Sequence, residues 1–310
     1  MTVLVLRALG LGDLLTAVPA LRGLAKAIPE HERVLATTAP LADFAVASGL
    51  ADRVVAVEPL GPLPRELSGV EVAVNLHGRG PESHRLLLDL QPRRIVGFGN
   101  ASAGVPGPTW TAGEHEVQRW CRMLRANGIS ADPADLDLHW PGGEESGVVI
   151  IHPGAAFPSR RWPSDRWAAV AAALAADGTQ VVVTGSAGEL PLARAVVEQA
   201  GLPPEACLAG TTDLSGLAAL VAGAGLVVSG DTGVAHLATA FGRPSVVLFG
   251  PVSPAEWGPP PDRRQHVALW HGRRGDPHGA EVDPGLLAIS VDEVLTACRR
   301  AAAAPVAVPT

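Results

Sequence analysis

Apolar and polar positions follow two rhythms along the chain. The runs TVLVLR (2–7), RVLAT (33–37), RVVAV (53–57), EVAVNL (71–76) and RIVGF (94–98) are nearly continuous in apolar residues. That pattern marks strands covered on both faces, as in a parallel sheet. Between them, 13–27, 40–49, 81–90 and 114–127 read as helices. The alternation predicts a doubly wound parallel α/β domain. The stretch HWPGGEESG (139–147) interrupts it with Pro, Gly, Glu and Ser, and reads as a linker. The same alternation then restarts, with strands expected at 148–152, 179–184, 206–209, 225–229, 245–249 and 266–270. Helices are expected near 163–176, 189–200, 213–223, 232–241 and 291–303. The expected organisation is therefore one α/β domain over 1–143, a second over 144–300, and a disordered tail over 301–310.

Composition narrows the function classes. The chain of 310 residues is 47% hydrophobic, yet no uninterrupted apolar window approaches the ~18–20 residues of a membrane span. The start, MTVLVLRALGLGD, has no basic segment followed by an apolar stretch and a cleavage site, so it reads as a first strand and the expected location is cytoplasmic. Cys121, Cys207 and Cys298 are far apart and odd in number, which speaks against a disulfide framework or a structural zinc site. A formal net charge of −7 argues against a nucleic-acid partner. The ten histidines are scattered, and HGRRGDPHG (271–279) lacks the carboxylate partners and regular spacing of a convincing site, so no metal site is expected.

Four stretches carry candidate chemistry, each at an expected strand-to-helix junction. In RALGLGDLLTAVPALRGL (7–24), Gly10 and Gly12 would let the protein backbone come close to a ligand. The dinucleotide fingerprint fails, because Leu15 stands at the third glycine position and RVLATT (33–38) ends without an acidic residue. Asp13 reads either as a helix N-cap or as a general base. In IHPGAAFPSRRWPSDRW (151–167), Arg160 and Arg161 on a strand-end loop suit a diphosphate, since guanidinium binds phosphate oxygens through two N–H groups at once. The bland alternative is a solvated basic loop with Trp162 and Trp167 packing the helix. In TGSAGELPLAR (184–194), Glu189 either serves the helix dipole or binds ribose hydroxyls. The strongest stretch is SGDTGVAHLATAFGRP (229–244). The backbone N–H groups of Thr232, Gly233 and Val234, with the Thr232 hydroxyl, would open a helix as unpaired donors and make an anion site. Asp231 could cap that helix, and His236, one turn in, could donate to a phosphate. FGPVSPAEWGPP (249–260) follows the next strand as a rigid loop.

Taken together, GLGDLLTAVPALRGL, HPGAAFPSRRWP, SGDTGVAHLATAFGRP and VVLFGPVSPAEWGP resemble glycosyltransferase family 9, the ADP-heptose:lipopolysaccharide heptosyltransferases. The resemblance implies the GT-B architecture, two Rossmann-like domains facing across a cleft, with acceptor on the first and nucleotide sugar on the second. It implies Asp13 as the base that deprotonates the acceptor hydroxyl. Thr232, Gly233 and His236 would line the donor diphosphate, Asp231 would order that loop, and Glu189 would bind the donor ribose. Where the family often carries lysine in K-x-W-P, this chain has Arg160. The implied function is an inverting transfer of a sugar, a heptose, from a nucleoside diphosphate such as ADP-heptose to a glycan, lipid-linked or small-molecule acceptor. No cofactor or metal is required, and peripheral membrane contact is allowed. Two rivals share the architecture: a nucleotide-sugar epimerase, which would turn over donor without acceptor, and a catalytically silent nucleotide-sugar-binding protein.

Overall fold

The computed structural model describes residues 1–141, 143 and 145–304. The chain forms two compact units, Met1–Leu136 and a second beginning at Asp137. The division falls before the linker read from the sequence, because that segment is already tied to the second unit. Leu138 N–H donates to the Ala240 carbonyl at 2.7 Å and Ser146 N–H to the Gly223 carbonyl at 2.9 Å. The Trp140 ring packs on Phe241 with centroids 6.3 Å apart.

In the first unit, β1 (Thr2–Leu6) leads to α1 (Leu11–Thr16) and α2 (Val18–Ala27), then β2 (Glu32–Thr37), α3 (Ala42–Ala47) and β3 (Arg53–Ala56). There follow β4 (Val72–Asn75), α4 (Glu82–Leu88), β5 (Arg94–Val96) and α5 (Glu116–Ala126). The single helix expected over 13–27 is two helices that meet at Ala17, since Pro19 has no N–H to continue the α1 ladder. The sheet is parallel, in the order β3-β2-β1-β4-β5. Its strands bury Leu4, Leu6, Val34, Ala36 and Ala73 against Leu87 and Leu90, each fully buried Leu or Val contributing roughly 1.5–3 kcal/mol.

The second unit runs β6 (Val149–His152), α6 (Ser164–Ala176), β7 (Val181–Val183), α7 (Leu190–Gln199), α8 (Leu214–Ala222), β8 (Leu226–Gly230) and α9 (Gly233–Ala240). It continues through β9 (Ser245–Leu248), α10 (Pro254–Trp257), β10 (His266–Leu269), α11 (Pro284–Ala288) and α12 (Val291–Ala302). Its parallel sheet has the order β10-β9-β8-β6-β7. The strand expected at 206–209 is reduced to one bridge between Val183 and Cys207. Pro203 and Pro204 have no N–H to give a ladder, and Pro204–Ala206 forms a 3-10 turn instead. Ala301 and Ala302 belong to α12 rather than to a disordered tail, and 305–310 lie outside the described residues. Trp162 and Trp167 are both core residues, edge to face with centroids 5.1 Å apart. The three cysteines are free. Burial pushes the Cys121 and Cys298 thiols up to about 12, so both act as small apolar groups. Among the described residues no helix is long and apolar enough to cross a membrane.

These strand orders fix where ligands approach. In each sheet the chain reverses its direction of progress once, between β1 and β4 in the first unit and between β6 and β8 in the second. Loops leaving the carboxyl ends of those neighbouring strands diverge to opposite faces, which opens a crevice there.

Candidate active site

In the first unit the loop after β1 carries Gly10, Gly12 and Asp13 to the crevice beside β4. Gly10 is the N-cap of α1 with extended backbone, and Gly12 lies in the first turn. Neither has positive φ, so they contribute small size rather than conformational freedom. Asp13 is the third residue of α1, not its cap. Its Oδ2 accepts from the Gly10 N–H at 3.2 Å, and its Oδ1 lies 3.5 Å from Arg7 Nη2. The Asp13 side chain remains 30% exposed while Arg7 is wholly buried.

Arg7 is the anchor of this site, and the sequence reading passed over it. Its Nε donates to the Asp13 carbonyl at 2.6 Å, Nη1 to the Leu76 carbonyl, and Nη2 to Thr16 Oγ1 at 3.2 Å. Glu116 Oε1 lies 3.6 Å away, and the Trp120 ring lies 4.7 Å from the guanidinium carbon. Burial pulls the Arg7 pKa down, against the raising effect of Asp13 and Glu116. One side chain thereby ties the loop after β1 to the loop after β4 and to α5. The signal was present as a charge closing the apolar run VLVLR, but its partners lie up to 113 positions away in sequence, beyond the reach of local pattern.

In the second unit the crevice between β6 and β8 is spanned by Arg160 and Asp231. Arg160 Nη2 donates to Asp231 Oδ2 at 3.0 Å and to the Asp231 carbonyl. This corrects the expectation that Asp231 caps α9: the cap position belongs to Thr232, which makes no side-chain capping bond. Burial pushes the Asp231 carboxyl up to about 6, with Arg160 opposing. Thr232 and Gly233 start α9, whose first N–H groups have no partner within the helix. Four polar atoms around this point are buried without a hydrogen-bond partner: Ser159 Oγ, Arg160 Nε, Ser229 Oγ and Thr232 Oγ1. Such concentration is unusual for a folded interior. Three hydroxyls, one guanidinium N–H and a helix N-terminus together suit an anion. His236, in the first turn of α9, lies edge to face with Trp257 at 6.1 Å between centroids.

Glu189 stands one strand further along, after β7. Its Oε2 accepts from Ser186 N–H at 2.8 Å and Ser186 Oγ at 2.9 Å, a capping box at the entry to α7. The carboxylate also lies over Gly154 so closely that a Cβ there would collide with it, which explains glycine at this point of the loop after β6. Burial works to raise the Glu189 pKa, and the Ser186 hydrogen bonds with the charges of His152 and Arg161 carry it below the ordinary value. The structure thus gathers Arg160, Asp231, Thr232 and Gly233 at one crevice, with His236 one turn along α9. Glu189 is held at the same sheet edge by its own cap. Arg161 turns back onto the Ala155 carbonyl at 2.8 Å. Ser159 and Ser229, which sequence reasoning missed, join the site because their neighbours leave them unpaired. No group of three or more His, Cys, Asp or Glu among the described residues could hold a metal ion.

Comparison with known proteins adds to this geometry. The profile of glycosyltransferase family 9 (heptosyltransferase) matches residues 111–278, more than half of the chain. Lipopolysaccharide heptosyltransferase 2 of Escherichia coli K12 is 37% identical over 174 residues, 49% of this chain and 50% of that protein. The chain spans about half the length of the curated relatives it matches. Among solved structures, the family 9 glycosyltransferase of Veillonella parvula DSM 2008 superposes with TM-score 0.82 at 21% identity, covering 97% of each chain. The ADP-heptose lipopolysaccharide heptosyltransferase II of E. coli does so with TM-score 0.79 at 22% identity, covering 97% of this chain and 98% of the other. These likenesses show a shared GT-B α/β fold.

Proposed function

The chain belongs to glycosyltransferase family 9, the heptosyltransferase family, and from that premise we propose that it is an inverting glycosyltransferase that moves a heptose from ADP-heptose to an acceptor hydroxyl. The observation that carries the reading is the anion receptor at the β6–β8 crevice, where Ser159, Arg160, Ser229 and Thr232 hold buried polar atoms without partners beside the N-terminus of α9. A diphosphate supplies the acceptor oxygens that these donors lack. The negative charge of Asp231 is offset by its ion pair with Arg160. Glu189 is assigned to the ribose through its Oε1, Oε2 being occupied by Ser186. His236 is assigned to the diphosphate. The adenine and the heptose come from the relatives, one of which is named for ADP-heptose.

In the first unit Asp13 is the base, and Gly10 and Gly12 border the acceptor. As the acceptor oxygen bonds to the anomeric carbon, its proton passes to the Asp13 carboxylate. The bond from that carbon to the diphosphate oxygen breaks, and ADP departs with the electron pair and is stabilised by the donors of the second unit. Arg7 fixes the carboxylate by holding both its Oδ1 and its backbone carbonyl. No cofactor enters this chemistry, the nucleotide sugar being a substrate. The acceptor is a glycan, lipid-linked or free sugar hydroxyl, and the reaction is assigned to the cytoplasm. Neither the epimerase nor the silent-binder alternative gains support from the relatives.

The test is a thermal-shift series with ADP-, GDP- and UDP-sugars, followed by transfer from ADP-heptose to heptose-deficient lipopolysaccharide, a lipid-linked sugar and free monosaccharides. ADP-heptose at ~100 times its dissociation constant is expected to add about 2.7 kcal/mol of stability and to give product with at least one acceptor. Donor turnover without acceptor would favour the epimerase. Binding without transfer to any acceptor would favour the silent binder.

A further inference from the structure

We propose that His77 is an acceptor-binding residue that presents its Nε2–H to the acceptor beside Asp13, an assignment that rests on the transferase reading above. β1 and β4 are paired in register, Leu6 beside Asn75, so the residues that follow them flank the β1–β4 crevice together. Arg7 and Ala8 leave from one strand, Leu76 and His77 from the other. Arg7 joins the two loops by bonding the Leu76 carbonyl and the Asp13 carbonyl. His77 and Asp13 therefore share one short stretch of sheet edge.

The turn that carries His77 is fixed from beneath. Asn75 is wholly buried, and its Oδ1 accepts the backbone N–H of His77 at 2.9 Å. Its Nδ2 lies 2.9 Å from Ser83 Oγ and 3.1 Å from His84 Nδ1. His84 Nε2 in turn lies 2.9 Å from the Phe98 carbonyl. A carbonyl can only accept, so His84 carries its proton on Nε2 and receives the Asn75 amide on Nδ1. That order aims Asn75 Oδ1 at the His77 backbone. Gly80 and Gly97 border His84 so closely that a Cβ on either would strike its ring.

The imidazole of His77 is also fixed in tautomer. The Ala8 backbone N–H donates to Nδ1 at 3.2 Å, so Nδ1 is unprotonated and the proton of the neutral ring sits on Nε2. Burial, and then the charge of Arg7, lower its pKa, which keeps the ring in that neutral form. The ring is half-buried, and among the described residues Nε2–H has no partner. The space that a side chain at Gly78 would take is open. A neutral donor of fixed direction beside a carboxylate base suits a sugar: it can bond one oxygen of the acceptor while Asp13 addresses the reacting hydroxyl.

Three substitutions separate this role from a structural one. His77→Asn keeps an acceptor at the Nδ1 position for Ala8 and has nothing at Nε2. His77→Gln places an amide N–H where Nε2–H was, three bonds from Cβ. His77→Ala has neither. With ADP-heptose and whichever acceptor of the panel the wild-type protein uses, Ala and Asn are expected to raise acceptor KM roughly 3- to 10-fold, and Gln to restore it. ADP affinity should stay at the wild-type value in all three. Near-normal acceptor KM in the Asn variant with a defect in Gln would show that His77 serves only Ala8, and would overturn the assignment. Normal KM in all three would overturn it as well. Absence of transfer by the wild-type protein itself, with ADP binding retained, would overturn the transferase reading and this assignment with it.

Discussion

At the residue scale, two carboxylates differ in their exposure. Asp13 is partly exposed and shares the charge of Arg7, so its substitution probes chemistry. In Asp13→Asn the side-chain oxygen still accepts from Gly10, while the proton-accepting charge is gone. Turnover should fall by roughly 10² to 10⁴ with ADP affinity unchanged, measured as transfer rate beside nucleotide titration. Near-wild-type transfer would remove Asp13 from catalysis. Asp231 is the buried one, and its pKa of about 6 lies above the ordinary 3.8. The folded state therefore binds its proton more tightly, and this group adds stability as pH falls from about 6 toward 3.8. His266 works the other way. Burial, then Arg263, hold it at about 4 rather than 6.5, so its contribution is lost as pH falls through that interval. The two terms largely cancel in the wild-type protein. In Asp231→Asn the His266 term is no longer offset by Asp231, and unfolding free energy should drop more steeply than in wild type between pH 6.5 and 4. Parallel pH profiles from urea unfolding would contradict these two buried environments.

At the scale of elements, the charged network around Arg7 couples pieces that the sequence presents separately. Arg7→Met takes the cation from beside Asp13 and one of the two cations from beside Glu116, and empties the buried bonds to Leu76 and Thr16, so a loss of about 3–5 kcal/mol is expected in denaturant unfolding. A loss below 1 kcal/mol would mean that the network is dispensable. The buried hydroxyl of Ser229 should behave in the reverse sense. With no protein partner it costs desolvation, so Ser229→Ala should raise stability by roughly 1 kcal/mol while weakening ADP binding. The same contrast explains what was legible in the sequence. The parallel strands announced themselves as apolar runs, and the start of α9 was visible because glycine, threonine and an apolar helix follow one another directly. The expected strand at 206–209 failed because two prolines precede it, and α10 and α11 went unseen because each is barely one turn long. Yet Ser253-Pro254 and Asp283-Pro284 did spell a cap followed by proline, and both side chains do cap. Asp231 was misread as a cap because its partner, Arg160, comes from a loop 71 positions earlier. Arg7, Ser159, Ser229 and His77 were missed for the same reason: which atoms are left unpaired is a property of packing.

At the scale of the whole molecule, the two units repeat one architectural device with different side chains. In each, the candidate residues sit where neighbouring parallel strands part, beside an arginine from the loop or strand end on one side: Arg7 in the first unit, Arg160 in the second. The first crevice carries a carboxylate and a neutral imidazole, suited to a hydroxyl. The second carries N–H and O–H donors, suited to an anion. One hydrophobic core is built on β1, β2 and β4 and another on β6 to β10. The residues assigned to the nucleotide all lie in the second unit. In hydrogen exchange, ADP is expected to slow amides of 153–161, 185–189 and 229–236, where its diphosphate and ribose are assigned. Amides of 8–16 and 75–80 should exchange at the rate of the free protein until an acceptor is added. Protection centred on 8–16 with ADP alone would place the nucleotide on the first unit and reverse the division of labour between Asp13 and the α9 N-terminus.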